Sequence, residues 1–214
     1  TEGIFSMDGD WSRLDKISQM AETHGIITIL DDAHGDFVLG KDGKGTAKFF
    51  DVEKKIDLYI SSLSKGLGSF GGYVCGKKSL VDLCINTSKT FIYTSALPSS
   101  INQYSLERFN SNREVYRKKL WDKINLFHKR LEEIQLQTTS TSQIIPIIIG
   151  KEKNAMEFSK FLRDNGIFAQ AIRYPTVKKD QARIRISITG WLSNEEIEHS
   201  IQILEKAKRK FKLK

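Results

Sequence analysis

Cysteine is scarce in this chain, and no long apolar segment occurs along it. Its two cysteines, Cys75 and Cys84, lack a CxxC pair and a neighbouring histidine cluster. This is poor spacing for zinc, and two thiols are too few for a disulfide framework, so we expect both to be reduced, buried apolar residues in a cytoplasmic setting. No apolar run approaches the ~18 residues of a membrane span, and no signal peptide is recognisable. No membrane association is expected.

Acidic residues are few relative to basic residues only in the second half of the chain. Residues 1–100 carry 11 Lys and Arg against 13 Asp and Glu, whereas residues 101–214 carry 23 against 13. The extreme is the tail KAKRKFKLK, Lys206 to Lys214. A nucleic-acid-binding protein is therefore an alternative, but no recognition motif supports it. A solvated helix end, where cations favour the helix dipole, accounts for the tail, and no nucleic-acid partner is expected.

The apolar patterns alternate between helices and strands, which predicts an α/β sheet that is at least partly parallel. Residues 10–25 predict a helix with Trp11, Leu14, Ile17 and Met20 or Ala21 on one face, followed by the buried strand IITIL. Further patterns predict strands within 56–63, 71–76, 143–150, 167–173 and 182–189, and helices within 77–89, 154–166 and 193–211. Ser193 and Glu196 form a capping box for the last helix.

Residues 99–135 predict one long charged helix after the break at Pro98. Its apolar stripe consists of Tyr104, Phe109, Tyr116, Leu120, Ile124, Phe127 and Leu131. The predicted organisation thus has three parts: an α/β unit over 1–100, a connecting helix over 101–135, and a small α+β domain over 136–214.

A lysine lies in a glycine-rich loop after the second predicted strand, in the segment LYISSLSKGLGSFGGYV over residues 58–74. The loop lacks the GxxxxGK[ST] pattern of a phosphate-binding P-loop, and it lacks the helix and acidic residue of a dinucleotide fingerprint. A third possibility is a Schiff-base lysine, which needs a fixed amine, close glycine backbone for a flat ring and hydroxyls for a phosphate. Lys65 has such neighbours, namely Ser61, Ser62, Ser64, Gly66, Gly68, Gly71 and Gly72.

Two further residues follow the preceding strand. Asp31 could keep a pyridine nitrogen protonated, and His34 could hydrogen-bond or stack on the ring. Taken singly, Asp31 could instead be a helix cap, His34 a loop histidine and Lys65 a solvated lysine. The hypothesis depends on these groups sharing two strand ends of one sheet.

Five segments together resemble a known family. TEGIFSMDGD, DDAHG, SLSKGLGSFGGY, FIYTSALP and AIRYPTVKKDQARIRISIT resemble, in order, segments of the α-oxoamine synthases. These are fold-type-I enzymes that use pyridoxal 5'-phosphate (PLP) to condense an amino acid with an acyl-CoA, with loss of CO2. The resemblance implies that residues 1–100 are part of the large PLP-binding domain, in a chain whose N-terminal half is absent. Such a fragment is expected to be inactive alone.

The resemblance also implies a role for each matching residue. Lys65 would carry the cofactor and act as general base, Asp31 would pair with the pyridinium nitrogen, and His34 and Ser6 would contact the phenolic oxygen. Ser62 would contact the phosphate, and Thr94 and Ser95 would reach the phosphate of a neighbouring subunit, which implies a homodimer. Arg173, with Thr176 close by, would grip the substrate carboxylate, as a guanidinium fork can. No metal ligand is implied.

Within the family, the segments most resemble the branch that joins L-alanine to a pimeloyl thioester, on CoA or a carrier protein, in biotin biosynthesis. Glycine C-acetyltransferase is the alternative branch. A non-catalytic module of the same fold is another, although Lys65, Asp31, His34 and Arg173 are all present. Trp191 stands where relatives have small residues and a histidine, so it could pack or reshape the site.

Overall fold

The computed structural model describes residues 1–213 and divides the chain into two compact units. The first comprises Thr1–Phe5 and Trp11–Arg117, and the second comprises Ser6–Asp10 and the residues from Lys118 onward.

The first unit is a mixed sheet with short helices. Its strands are β1 (Ile29–Asp31), β2 (Leu58–Ser62) and β3 (Gly72–Gly76), and its helices are α1 (Leu14–His24), α2 (Gly45–Phe49), α3 (Lys78–Thr87), α4 (Lys89–Ile92) and α5 (Ser99–Asn110). The strand order is β1-β2-β3, with β1 parallel to β2 and β2 antiparallel to β3. The prediction of a partly parallel α/β sheet is confirmed.

Helix α1 is shorter than predicted and buries only part of the predicted apolar face. Gly25 ends it in the left-handed conformation that glycine favours, as predicted (φ 63°). Its buried residues are Leu14, Ser18 and Ala21, whereas Met20 is 62% exposed. Trp11 lies before the helix and forms an isolated bridge with Ile4. The predicted apolar face is confirmed for Leu14 and Ala21 and was wrong for Ile17 and Met20, which are exposed, and for Trp11, which precedes the helix.

Strand β1 is also shorter than predicted, and it is not buried throughout. Leu30 is fully buried, but Ile26, Ile27 and Ile29 are about half exposed. Strand side chains alternate between two faces, so Leu30 enters the core while its neighbours point elsewhere. The predicted continuous buried strand was wrong in this respect.

The segment predicted as one connecting helix is two helices. Helix α5 ends at Asn110, and α6 (Arg113–Glu133) begins three residues later and continues into the second unit. Ser111 interrupts the helix, because its hydroxyl donates to the Arg108 carbonyl (2.8 Å) and its own carbonyl accepts from the Arg113 N–H (2.8 Å). Of the predicted stripe, only Ile124, Phe127 and Leu131 are fully buried, and Phe109 is 52% exposed.

The second unit packs helices on an antiparallel sheet. Its strands are β4 (Ile144–Gly150), β5 (Gln170–Ile172) and β6 (Ala182–Ser187), in the order β4-β6-β5, and its helices include α7 (Glu152–Asp164) and α8 (Asn194–Phe211). The capping box is confirmed, since Ser193 Oγ accepts from the Glu196 N–H (3.1 Å) and Glu196 Oε2 accepts from the Ser193 N–H (2.7 Å).

The two cysteines differ from expectation. Cys75 is exposed and Cys84 is partly buried, and both are free thiols, so the prediction of two buried residues was wrong. Both lie in elements of the first unit, β3 and α3, whose residues are mostly exposed. Within residues 1–213, no helix combines the length and apolarity needed to cross a membrane, and no group of three or more His, Cys, Asp or Glu side chains could hold a metal ion.

Candidate active site

The candidate site lies at the carboxyl ends of two parallel strands. Asp31 ends β1 and pairs with Ile60 of β2, so the two strands finish at the same edge of the sheet. Ser62 ends β2, and Lys65 follows three residues later. Ligands of open α/β sheets bind outside this edge. The fold thus places Asp31, Ser62 and Lys65 where a ligand can reach all three.

Lys65 and His34 are in direct contact. The Nζ atom of Lys65 lies 3.0 Å from the Nε2 atom of His34, which joins the loop after β2 to the loop after β1. Lys65 is exposed and His34 is half-buried. This pairing lets an amine and an imidazole share a proton within hydrogen-bond reach.

The backbone around Lys65 is fixed by short-range contacts. The Gly68 N–H donates to the Lys65 carbonyl (3.0 Å), and the Ser69 N–H donates to the Leu63 carbonyl (2.8 Å). Leu67 is only 2% exposed and anchors the loop. A Cβ on Gly66 would lie 2.6 Å from the Asp36 carbonyl oxygen, so only glycine fits there. The lysine amine therefore projects from a rigid turn.

The two adjacent aspartates after β1 have opposite environments. Asp31 is exposed, and its Oδ1 accepts only a short-range bond from the Ala33 N–H (3.0 Å) among its described side-chain contacts. Asp32 is fully buried and accepts from the Thr46 N–H (2.6 Å), the Thr46 hydroxyl (2.5 Å) and the Tyr59 hydroxyl (2.9 Å). Burial raises the pKa of Asp32 to about 6, against the opposing effect of these hydrogen bonds. Asp31 is thus accessible to a ligand, while Asp32 is a structural anchor.

A second buried carboxylate, Asp36, lies four residues further on. It is 5% exposed, and its Oδ2 accepts from the Ser61 hydroxyl (2.7 Å) and the Tyr73 hydroxyl (2.6 Å). Burial, followed by the contact with Asp36, raises the pKa of Tyr73, so the phenol stays protonated and donates. Asp36 links the loop that carries His34 to both β2 and β3.

The other predicted cofactor residues of the first unit occupy two loops. The Ser62 hydroxyl lies 2.8 Å from the Ser64 hydroxyl and accepts from the Ser64 N–H (3.2 Å). Thr94 and Ser95 are exposed in the segment between α4 and α5. Ser62 therefore lies at the same sheet edge as Lys65, whereas Thr94 and Ser95 belong to a separate loop.

The remaining predicted residues belong to the second unit. Arg173 and Thr176 are exposed in one turn after β5, in which the Thr176 N–H donates to the Arg173 carbonyl (3.0 Å). The carbonyl of Ser6 accepts from Arg185 Nη1 (3.2 Å). Trp191, which could have packed inside the protein, is 79% exposed.

Several residues of the site were missed from the sequence. Asp32, Asp36, Thr46, Tyr59 and Tyr73 form the buried polar contacts described above. The sequence did contain a signal for them. Asp32 and Asp36 each lie two residues from His34, and each of the next two strands contains a tyrosine. The antiparallel register that brings Tyr73 opposite Ser61 could not be derived from spacing alone.

Comparison with known proteins identifies relatives of the whole chain. An 8-amino-7-oxononanoate synthase from Thermoanaerobacter pseudethanolicus is 40% identical over 209 residues, which is 96% of this chain and 53% of that protein. The synthase from Thermosipho melanesiensis is 36% identical, over 98% of this chain and 54% of that protein. The chain spans about half the length of the curated relatives it matches.

Solved structures show the same fold. An 8-amino-7-oxononanoate synthase from Francisella tularensis superimposes with a TM-score of 0.82 at 28% identity, over 99% of this chain and 63% of that one. A serine palmitoyltransferase from S. paucimobilis, solved with bound PLP, superimposes with a TM-score of 0.92 at 22% identity, over 100% of this chain and 55% of that one. The predicted fold-type-I architecture is confirmed.

These similarities confirm the resemblance to the α-oxoamine synthases inferred from the sequence segments. The model of the family aminotransferase class I and II matches residues 1–204. The chain therefore belongs to the aminotransferase class I and II family.

Proposed function

We propose that this chain is the C-terminal part of a PLP-dependent synthase that condenses L-alanine with a pimeloyl thioester, with loss of CO2, in biotin biosynthesis. The observation that carries the proposal is the 3.0 Å contact between Lys65 Nζ and His34 Nε2 at the sheet edge where Asp31 also ends its strand. Relatives named 8-amino-7-oxononanoate synthase, 34–40% identical, supply the choice of reaction.

The donor set at this edge fits PLP. An exposed lysine amine can bond its aldehyde carbon, an exposed carboxylate can face its pyridine nitrogen, and serine hydroxyls can donate to its phosphate. Glycine at position 66 is sterically required, and a Cβ added to Gly68 (φ 72°) would meet no atom within 4 Å, which leaves room for a flat ring. When bound, PLP supplies an electron-accepting ring that stabilises negative charge on the substrate carbon.

Three residues at this sheet edge would then have separate catalytic roles. Lys65 would hold the cofactor and, once displaced by the substrate amine, accept the proton of the substrate α-carbon at Nζ. His34 Nε2 would orient the Lys65 amine and exchange a proton with it. Asp31 would keep the pyridine nitrogen protonated, because a carboxylate beside it favours the charged form.

Substrate contacts and further cofactor contacts are assigned to other segments. We assign Ser62 to the phosphate, Ser6 to the ring oxygen, and Arg173 with Thr176 to the substrate carboxylate. The exposed guanidinium of Arg173 can form a bidentate contact with such a group. Residues 1–100 would form part of the cofactor domain and 136–214 the small domain.

We also assign the active protein to a cytoplasmic homodimer, in which Thr94 and Ser95 reach the phosphate of the partner's site. Their loop is flanked by apolar side chains that are about half or more exposed, namely Phe91, Ile92 and Tyr93. Exposed apolar surface of this kind favours burial in an interface. The native mass of the complete protein tests this point.

The proposal is tested by the near-ultraviolet and visible absorbance of the complete protein that contains this sequence, with PLP added. We expect a yellow band in the parent, its loss in Lys65→Ala, and its retention in Lys16→Ala, where an exposed lysine of α1 is the matched control. Reduction with borohydride and peptide mapping should then locate the pyridoxyl group on Lys65. Turnover should fall by about a hundredfold or more in Lys65→Ala, as for a lost acid–base group.

Addition of amino acids sorts the branch of the family. Alanine should perturb the band, and alanine with a pimeloyl thioester should release CO2. A response to glycine and acetyl-CoA instead would point to glycine C-acetyltransferase. A parent without a band in the presence of PLP would overturn the enzyme assignment and leave a non-catalytic module of the same fold.

A further inference from the structure

The turn that carries His34 is held at both ends by carboxylates. The Asp32 carbonyl accepts from the N–H groups of Gly35 (3.0 Å) and Asp36 (2.8 Å), so residues 32–36 form one compact turn. The side chains of Asp32 and Asp36 are both buried, while His34 between them points outward far enough to be half-buried. The position of the imidazole therefore depends on how this turn is anchored.

Asp36 anchors the turn to the strand that leads to Lys65. Its partners Ser61 and Tyr73 are opposite each other in the register of β2 and β3, and both donate to the same oxygen, Oδ2. Ser61 lies only four positions before Lys65. Asp36 and Ser61 thus connect the turn that carries His34 to the strand that leads to Lys65, so they help to hold the two side chains in contact.

The backbone beyond Asp36 is held in an unusual conformation. Phe37 has φ 65°, which is rare for a large side chain, and it is 8% exposed. The guanidinium of Arg113 lies 5.1 Å from its ring centroid and 4.8 Å from that of Phe109. Strained backbone persists where its surroundings over-determine it, and here Arg113, Phe109 and the bonds of Asp36 do so.

We propose that Asp36 is a positioning residue, which holds His34 against Lys65 through its bonds to Ser61 and Tyr73. It touches neither the cofactor nor the substrate in this role, and acts only through the imidazole. The proposal rests on the proposed function, in which Lys65 binds PLP.

Burial explains why the bonds of Asp36 to Ser61 and Tyr73 are strong enough to position a loop. A carboxylate at 5% exposure that accepts two short hydroxyl bonds interacts in a low local dielectric, and loss of one partner leaves an unsatisfied buried group. The turn therefore has one strongly preferred placement. Without the anchor, the imidazole samples several placements, and its contact with Nζ is lost for part of the time.

The test is a double-mutant cycle between Asp36 and His34 in the complete protein, read as the affinity for PLP from the absorbance band. Asp36→Ala should weaken PLP binding about tenfold in the parent, but less than about twofold in the His34→Ala background, because residues that act through one another are not additive. Asp36→Asn, which keeps an oxygen acceptor, should restore most of the affinity. Equal weakening in both backgrounds would overturn the proposal.

A milder pair of variants covers the case in which Asp36→Ala does not fold. Tyr73→Phe removes only one hydroxyl and should weaken binding about threefold, again only where His34 is present. Tyr104→Phe, on an exposed tyrosine of α5, is the matched control and should change nothing. No effect of Tyr73→Phe beyond that of the control, or an equal effect with and without His34, would also overturn the proposal.

A second readout uses no cofactor. Trinitrobenzenesulfonate labels amines, and peptide mapping gives the rate at Lys65 relative to the exposed Lys16. Asp36→Ala should bring the Lys65 rate towards that of Lys16, and His34→Ala should do the same. A parent without a PLP band would be a failure of the proposed function; a parent with a band and an unmoved Lys65 rate in Asp36→Ala would be a failure of the positioning role.

Discussion

The two units of the chain are stabilised in different ways. The second unit has a core cluster of 16 buried apolar residues, whereas the cluster of the first has four, Leu14, Leu30, Ala47 and Val52. The first unit instead contains the buried carboxylates Asp32 and Asp36 with their hydroxyl donors. Among the described residues, the unit that carries the candidate lysine thus has the smaller contiguous apolar cluster, and buried directional contacts help to fix the geometry of its loops. The other unit is stabilised mainly by its larger apolar cluster.

The largest expected effect on stability comes from a change in the apolar core of the second unit. Phe158 is fully buried in the core of the second unit, and its ring centroid lies 5.1 Å from that of Phe211. Phe158→Ala should lower the free energy of unfolding by about 3–5 kcal/mol, because it removes buried surface and leaves a cavity. Urea denaturation followed by circular dichroism measures this loss.

Phe168→Ala is the control for that variant. Phe168 lies in the same unit but is 84% exposed, so its truncation should change the free energy of unfolding by less than about 0.5 kcal/mol. Losses of similar size in the two variants would contradict the assignment of the core.

The next effect concerns the buried carboxylate Asp32 of the first unit and the dependence of stability on pH. Because burial raises the pKa of Asp32 to about 6, the folded protein binds a proton there more tightly than the unfolded chain does. The stability from this site is fully present below the unfolded pKa of about 4 and is lost as the pH rises through the folded pKa of about 6, a change of about 3 kcal/mol at most. Above that range the contribution is constant.

Asp32→Asn removes this titration and nearly preserves the shape of the side chain. The difference in free energy of unfolding between parent and variant should therefore change between about pH 4 and pH 7 and stay level above that range. Urea denaturation at several pH values provides the measurement. Parallel pH profiles of the two proteins would show that Asp32 does not titrate in this range.

The smallest effect compares the helix starts of the two units. Ser193 caps α8 with its side chain, whereas Ser88, at the start of α4, makes no such bond to its helix. Ser193→Ala should cost about 1 kcal/mol of unfolding free energy, and Ser88→Ala only a few tenths. Thermal unfolding of both variants checks the difference, and a larger loss in Ser88→Ala would reverse the comparison.

Features set by a few neighbouring residues were predictable from the sequence. Gly25 and the capping box of Ser193 and Glu196 were placed correctly, because each reflects a local backbone requirement. The shared sheet edge of Asp31 and Lys65 followed from strand alternation alone. Their roles in catalysis stay predictions.

Features set by distant partners were not predictable. Periodicity shows that Ile17, Met20 and Ile29 are apolar, but it does not show what covers them, and all three are exposed. Likewise, two adjacent aspartates look equivalent in the sequence, yet the pleat sends Asp32 inward and leaves Asp31 accessible. The break at Ser111 was hidden because the apolar stripe continues across it.

The crowding around Asp32 has a consequence for how this loop can change over generations. A Cβ on Gly3, Gly35 or Gly45 would lie 2.1–2.2 Å from a carboxylate oxygen of Asp32, so three glycines from separate segments are matched to one side chain. None of the three glycines can gain a side chain on its own without a clash. A smaller residue at 32 alone would not make room, because a Cβ on Gly3 or Gly35 would also meet the Thr46 hydroxyl, and one on Gly45 would meet the Tyr59 hydroxyl. A change at any of these glycines therefore requires earlier changes at two neighbouring side chains, which makes the order of substitutions decisive.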